Sequence, residues 1–183
     1  MMNRPAPGIS ENPVASTRNL NRSPSILIVG VGSSHGDDQL GWLVAKELTR
    51  RSLINCEVRI ASTPIELLDW LDECTVLHLV DAWQGDSVPG TIGRWNWPCP
   101  EIQVGRWSGT HDFNLSGVLA LADQLDQLPA QVVVWGVQRG SNQVADSLSE
   151  EAANWIKLAA EKIQNEVDAA KTLFGKEWRQ VNQ

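Results

Sequence analysis

Apolar and polar positions fall into a folding pattern only from Ser25 onward. Residues 1–24 are rich in Asn, Ser, Pro and Arg without periodicity, and are read as a disordered leader. Then Ile26-Leu27-Ile28-Val29 runs into Gly30-Val31-Gly32. A short apolar, β-branched run closed by glycines predicts a buried strand ending in a tight turn. Leu40, Leu43, Val44 and Leu48 recur at helical spacing and predict a helix over 38–51. A second strand is expected at 56–61, and a short helix at 65–71 on Leu67, Leu68 and Leu71. The third strand, 75–81, is apolar except for His78 and ends on Asp81. A turn-rich stretch at 84–90 precedes an edge strand at 91–97, and 98–110 is irregular. Leu115, Val118, Leu119, Ala122 and Leu125 predict a helix over 112–125, and 131–137 reads as the last strand. The final helix is expected to start near Ser147 or Ser149, since Ser147 and Glu150 have capping-box spacing, and to fray after about residue 170.

Strands alternating with helices in this order predict one α/β domain over 25–168, followed by a tail at 169–183. Its architecture is a three-layer α/β/α stack on a mostly parallel sheet. In such sheets ligands bind beyond the carboxyl ends of the strands, near the point where strand order reverses. The net charge of −7 argues against nucleic acid and anionic membrane as partners. The longest apolar runs are of core-strand length, far below the roughly 18 residues of a membrane span. Cys56, Cys74 and Cys99 are odd in number and widely spaced, against a disulfide framework or a structural zinc site. The N-terminus has no apolar core of a secretory signal, which makes the cytoplasm the expected compartment.

Chemistry concentrates at three places. Gly30-Val-Gly-Ser-Ser-His-Gly-Asp37-Asp38 follows the first strand. Its glycine spacing is not that of a dinucleotide loop, and two carboxylates there repel a phosphate. Helix capping explains one Asp but leaves the other over. Asp81 ends a buried strand, where a carboxylate costs desolvation unless it is paired; backbone pairing is the structural alternative. His111 stands before the predicted third helix, after Ser108-Gly109-Thr110, and taken alone is as readily structural as functional. His78 reads as a satisfied core residue, and His35 as an accessory ligand or a solvated side chain. Asp38, Asp81 and His111 together offer two carboxylates and an imidazole, a set that suits a borderline divalent transition metal. Three protein ligands leave coordination open to water or to a partner's groups.

In these features the sequence resembles the hydrogenase maturation proteases, endopeptidases that trim the C-terminus of the nickel–iron hydrogenase large subunit. The matching residues are 26–32 with Gly36-Asp37-Asp38 and Gly41; Leu79-Val-Asp81-Ala82 with Pro89-Gly90; His111 with Leu115 and Leu119; and Trp135-Gly136-Val137 with Leu148-Ser149. The resemblance spans about residues 25–165. It implies a five-stranded α/β/α fold and a metal-triggered, aspartic-type endopeptidase. Asp38, Asp81 and His111 fall on the family's metal-reading positions. The nickel would be supplied by the substrate precursor, cut once after loading by a monomeric protease. Ser33 stands where the family usually has Asn, Gln39 where Gly is common, and the loop is one residue short. These departures motivate an alternative, a nickel-sensing binding module without proteolysis; a nucleotide-binding domain is a third reading, opposed by the acidic loop. Two of the nine tryptophans, Trp83 and Trp107, flank the candidate site, and at least one is expected to be exposed as a docking anchor.

Overall fold

The computed structural model describes residues 25–104, 106–107, 114–140 and 148–181. In chain order the elements are β1 (Ile26–Val31), α1 (Leu40–Arg50), β2 (Cys56–Ala61), β3 (Val76–Gln84), β4 (Ile92–Asn96), α2 (Pro100–Val104), β5 (Arg106–Trp107), α3 (Leu115–Gln124), β6 (Gln131–Gln138) and α4 (Ala152–Val181). The sheet runs β2-β1-β3-β6-β4, with β5 pairing off this path to the end of β3. β2, β1, β3 and β6 are mutually parallel, and β4 closes one edge antiparallel to β6. The chain leaves β1 toward β2 and returns to β3 on β1's other side, so the order reverses between β1 and β3.

β1, β3 and β6 are predominantly apolar because both of their faces are covered, with His78 and Asp81 the buried polar residues of β3. On one face, Ile26, Ile28, Val76 and Val80 pack with Leu40, Val44 and Leu48 of α1 and Ala159, Ala160 and Ile163 of α4. On the other, Leu27, Val29, Leu77 and Leu79 pack with Leu115, Val118 and Leu119 of α3, Ile102 of α2, and Leu67. The expected three-layer α/β/α stack on a mostly parallel sheet is therefore what forms. At the β4 edge, Arg94 pairs with Glu166 of α4 through two contacts of 2.6 and 2.7 Å, tying the antiparallel strand to the helix layer.

The boundaries shift where local geometry overrides periodicity. The helix expected from 38 starts as a 3-10 turn, Gly36–Gln39, and becomes α-helical only at Leu40. The stretch expected as a helix at 65–71 is two 3-10 segments, Pro64–Asp69 and Leu71–Glu73. A capping box does occur, but at Thr63 and Glu66, where both reciprocal bonds form; Ser147 lies outside the described residues. Within 98–110, read as irregular, α2 and the two-residue β5 form. Helix α3 begins at Leu115 with Asn114 as its cap, accepting from the Gly117 amide. Helix α4 begins at Ala152 and continues to Val181, past the point where fraying was expected. Among the described residues no helix is long and apolar enough to cross a membrane.

His78 is buried on the α1/α4 face of β3, and its Nδ1 accepts a hydrogen bond of 3.1 Å from the Trp135 indole. It is the satisfied core histidine that the sequence implied. Burial pushes its pKa down to about 4; the Arg94 charge adds to that and Glu166 opposes it. The folded state therefore takes up this proton only near pH 4, whereas the unfolded chain takes it up near the ordinary value of about 6.5. Stability from His78 is complete above about pH 6.5 and is lost as the pH falls toward 4, by roughly 3 kcal/mol in all. Chemical denaturation between pH 7 and 4.5 should show wild type losing stability more steeply than His78→Gln. Parallel curves for the two proteins would disprove this assignment.

Candidate active site

The loop after β1 is shaped by how closely α1 approaches the sheet. A Cβ on Gly41 would lie 2.0 Å from the Val31 carbonyl oxygen and 2.5 Å from that of Val80, and one on Gly30 would lie 2.2 Å from the Gly41 carbonyl. Only glycine fits at either position. Gly36 has φ of +46°, which glycine adopts without strain. The loop is closed by the Ser33 amide donating to the Asp38 carbonyl at 3.2 Å and the Asp38 amide donating to the His35 carbonyl at 3.0 Å. The Gly32 amide and the Trp42 indole both donate to the Ala61 carbonyl, fixing the loop to the end of β2. The acidic pair thus stands at the carboxyl ends of β1 and β3, where strand order reverses.

The two aspartates have different partners. The Asp37 carboxylate accepts from the Gly140 amide at 2.8 Å, the Ser149 amide at 2.9 Å and the Ser149 hydroxyl at 2.7 Å. It therefore joins the exit of β6 to the approach to α4, and is the structural member of the pair. Asp38 Oδ1 accepts from Arg139 Nη1 at 3.0 Å. Arg139 Nη2 donates to the Gln84 side-chain oxygen at the end of β3, and the Arg139 amide donates to the Trp83 carbonyl. His35 is exposed, with Ser33 Oγ 3.5 Å from its Nδ1.

Asp81 is fully buried within β3, opposite Gly136 of β6. By strand alternation it shares the face of Leu77 and Leu79, the one covered by α3. Its Oδ1 accepts from the Ala82 amide at 2.7 Å. His111 lies outside the described residues. The chain enters that segment from Trp107, which pairs with Trp83, and leaves it at Asn114. Asp38 thus stands in the loop after β1 and Asp81 three residues before the end of β3, on the side of the sheet where ligands bind in parallel folds. Among the described residues no three His, Cys, Asp or Glu side chains cluster as a metal site.

Trp83 is half-buried and meets Trp95 edge-on, with centroids 5.1 Å apart. The Trp95 ring and the Trp83 Cβ flank Gly136, the Trp95 ring overlies Gly93, and the Trp83 ring overlies Gly85. Trp83 is thus packed at the sheet end rather than presented as an exposed anchor; the Trp107 side chain lies outside what the structure describes. Arg139 and Gln84 were missed by sequence reading. The signal for Arg139 was its place immediately after the β6 run, the same strand-end logic that picked out Asp81.

This division of labour has a measurable consequence. Asp37→Ala leaves two amides and a hydroxyl without their charged acceptor and should cost about 2–4 kcal/mol, seen as a melting point several degrees lower. Asp38→Asn breaks a pair whose side chains are 23% and 25% exposed and should cost about 1 kcal/mol or less. Equal losses in the two variants would contradict the separation of roles.

The family model for hydrogenase maturation proteases matches residues 44–166, more than half of the chain. No curated protein sequence matches significantly. Among solved structures, the hydrogenase-maturating endopeptidase HybD from Escherichia coli superposes with a TM-score of 0.64 at 20% identity, over 79% of this chain and 93% of that one. The nickel–iron hydrogenase maturation protease HycI from Thermococcus kodakarensis gives 0.59 at 22% identity, over 78% and 91%. A hydrogenase 3 maturation protease gives 0.59 at 26% identity, over 78% and 88%. The structural likenesses agree with the strand order and layers described above. With the family model matched across α1 to α4, this chain belongs to the hydrogenase maturation protease family.

Proposed function

We propose that the protein is a metal-triggered, aspartic-type endopeptidase that trims the C-terminus of a nickel-loaded nickel–iron hydrogenase large-subunit precursor. Asp38, Asp81 and His111 read the metal that the substrate carries. The observation that supports this reading best is that Asp38 follows β1 and Asp81 lies in the carboxyl-terminal half of β3, the neighbouring strands between which strand order reverses. Asp81 strengthens it: a carboxylate with no exposed surface, in a strand otherwise apolar on that face, costs desolvation that a leucine would avoid. A residue kept there against that cost points to chemistry rather than packing. The segment carrying His111 starts from Trp107, paired two residues beyond Asp81, which favours an imidazole joining the two carboxylates.

Two carboxylates and an imidazole leave a nickel ion's remaining positions to the precursor's own ligands and to water. Bound so, the metal supplies Lewis acidity to the scissile carbonyl or to the attacking water. The protein's part is positional. Asp81 is fixed by its strand and by the Ala82 amide, so it offers a carboxylate that barely reorients. Asp38 stands on a 3-10 turn anchored to the sheet, a second fixed point across the strand reversal. On this reading the protein works in the cytoplasm as a monomer; its three cysteines are not joined in disulfides, which accords with a reducing compartment.

Cleavage of a purified precursor, followed by mass spectrometry of the released peptide, tests the proposal. Wild type should cut nickel-loaded precursor and leave nickel-free precursor intact. Asp38→Ala, Asp81→Asn and His111→Ala should each slow cleavage by roughly a hundredfold or more, the size of loss typical for a positioned catalytic group. Wild-type rates in the Asp81 and His111 variants would overturn the site assignment. Equal cutting of nickel-free precursor would overturn the metal trigger.

A further inference from the structure

We infer that Arg139 is an internal cation that holds Asp38 in place until the substrate's metal displaces it, and so sets how weakly the free enzyme binds metal. This inference rests on the reading of Asp38 as a metal-reading carboxylate.

The geometry is specific. The Arg139 backbone is fixed at the end of β6: its amide donates to the Trp83 carbonyl at 3.0 Å, and its carbonyl accepts from the Gln138 side chain at 3.4 Å. From there the guanidinium spans the rim. One nitrogen donates to Asp38 Oδ1 at 3.0 Å and another to the Gln84 side-chain oxygen. A guanidinium presents its donors in a rigid plane, so it can bridge the β1 loop and the end of β3 together, which lysine's single ammonium cannot do in the same way. The pair is partly shielded, with side chains about a quarter exposed, so the guanidinium is felt at Asp38 more strongly than a fully solvated charge.

Asp38 thus already carries a positive partner about 3 Å away. A divalent cation taking the same carboxylate meets that charge and must repel or displace it. The free enzyme therefore binds metal ions less well than its carboxylates alone would allow. A metal already held by the precursor's own ligands arrives with enough additional affinity to win the exchange. Gln84 retains the released guanidinium at the lip of the cleft and keeps it available to return.

The test is isothermal calorimetry of nickel chloride into full-length, tag-free protein, with thermal melts as a check on folding. Arg139→Gln, which removes the charge and keeps hydrogen-bonding capacity, should bind nickel about tenfold more tightly than wild type. In an Asp38→Asn background the same change should have no effect, because the two charges act through one carboxylate. Gln84→Met provides a second route if Arg139→Gln folds poorly; by loosening the guanidinium it should raise affinity severalfold. Unchanged or weaker nickel binding in both single variants would overturn the inference, as would a gain that persists without the Asp38 charge. If Asp38→Ala slows precursor cleavage while Arg139→Gln leaves affinity unchanged, this inference fails and the assignment of Asp38 stands. If Asp38→Ala cleaves and binds nickel as wild type does, both fail.

Discussion

Helix α1 lies so close to the sheet that a single methyl group could not be added at Gly30 or Gly41. Where a helix and a parallel sheet meet at ordinary distance, the loop between them can take many paths. Here the first turn of α1 touches the carbonyl oxygens of both Val31 and Val80, buried core residues of β1 and β3. The loop is left with little freedom, and it resolves the constraint with a positive-φ glycine and a 3-10 turn. Asp37 and Asp38 ride on that turn, so their position is inherited from backbone contact between two core elements. Precision at the rim follows from tight packing beneath it.

β3 shows how one buried strand carries two polar residues with different fates. His78 and Asp81 are three apart and so face opposite sides of the sheet. On the α4 side, His78 meets an indole N–H and stays neutral, completing the core. On the α3 side, Asp81 is seated at the end of an apolar row. The same strand therefore supplies a structural hydrogen bond near its start and a candidate reactive group nearer its carboxyl end. The difference lies in depth along the strand, since only the end of a parallel strand opens toward a ligand.

Most of the sheet was legible in the sequence, because fully buried parallel strands read as unbroken apolar runs; Ile26–Val31 and Gln131–Gln138 are such runs. So were α3 and the core of α1, whose apolar positions recur at helical spacing. What escaped has physical reasons. The short 3-10 segments around Leu67 and Leu71 bury the same leucines a helix would, so periodicity cannot separate the two. Ser149 was read as a helix start from capping residues alone, yet its amide and hydroxyl answer to Asp37, more than a hundred residues away in sequence. Arg139 could be placed at a strand end, but its pairing with Asp38 is a tertiary fact that local spacing does not encode. The half-buried seat of Trp83 was also not legible from its turn-rich surroundings, because it depends on the glycines at 85, 93 and 136 leaving room for Trp83 and Trp95 to meet edge-on.

The anchoring of Gly140 and Ser149 on one carboxylate bears on how such an enzyme diversifies. Asp37 holds both ends of the connection between those residues at one base, and in general closing a longer loop costs only about 0.6 kcal/mol for each doubling in length. The exit of β6 and the approach to α4 are thus held together by that carboxylate, independently of how long a chain runs between them. That stretch starts beside Arg139, at the rim. A lineage that altered this connection to suit a different precursor would keep the joint as long as it kept Asp37, Gly140 and Ser149.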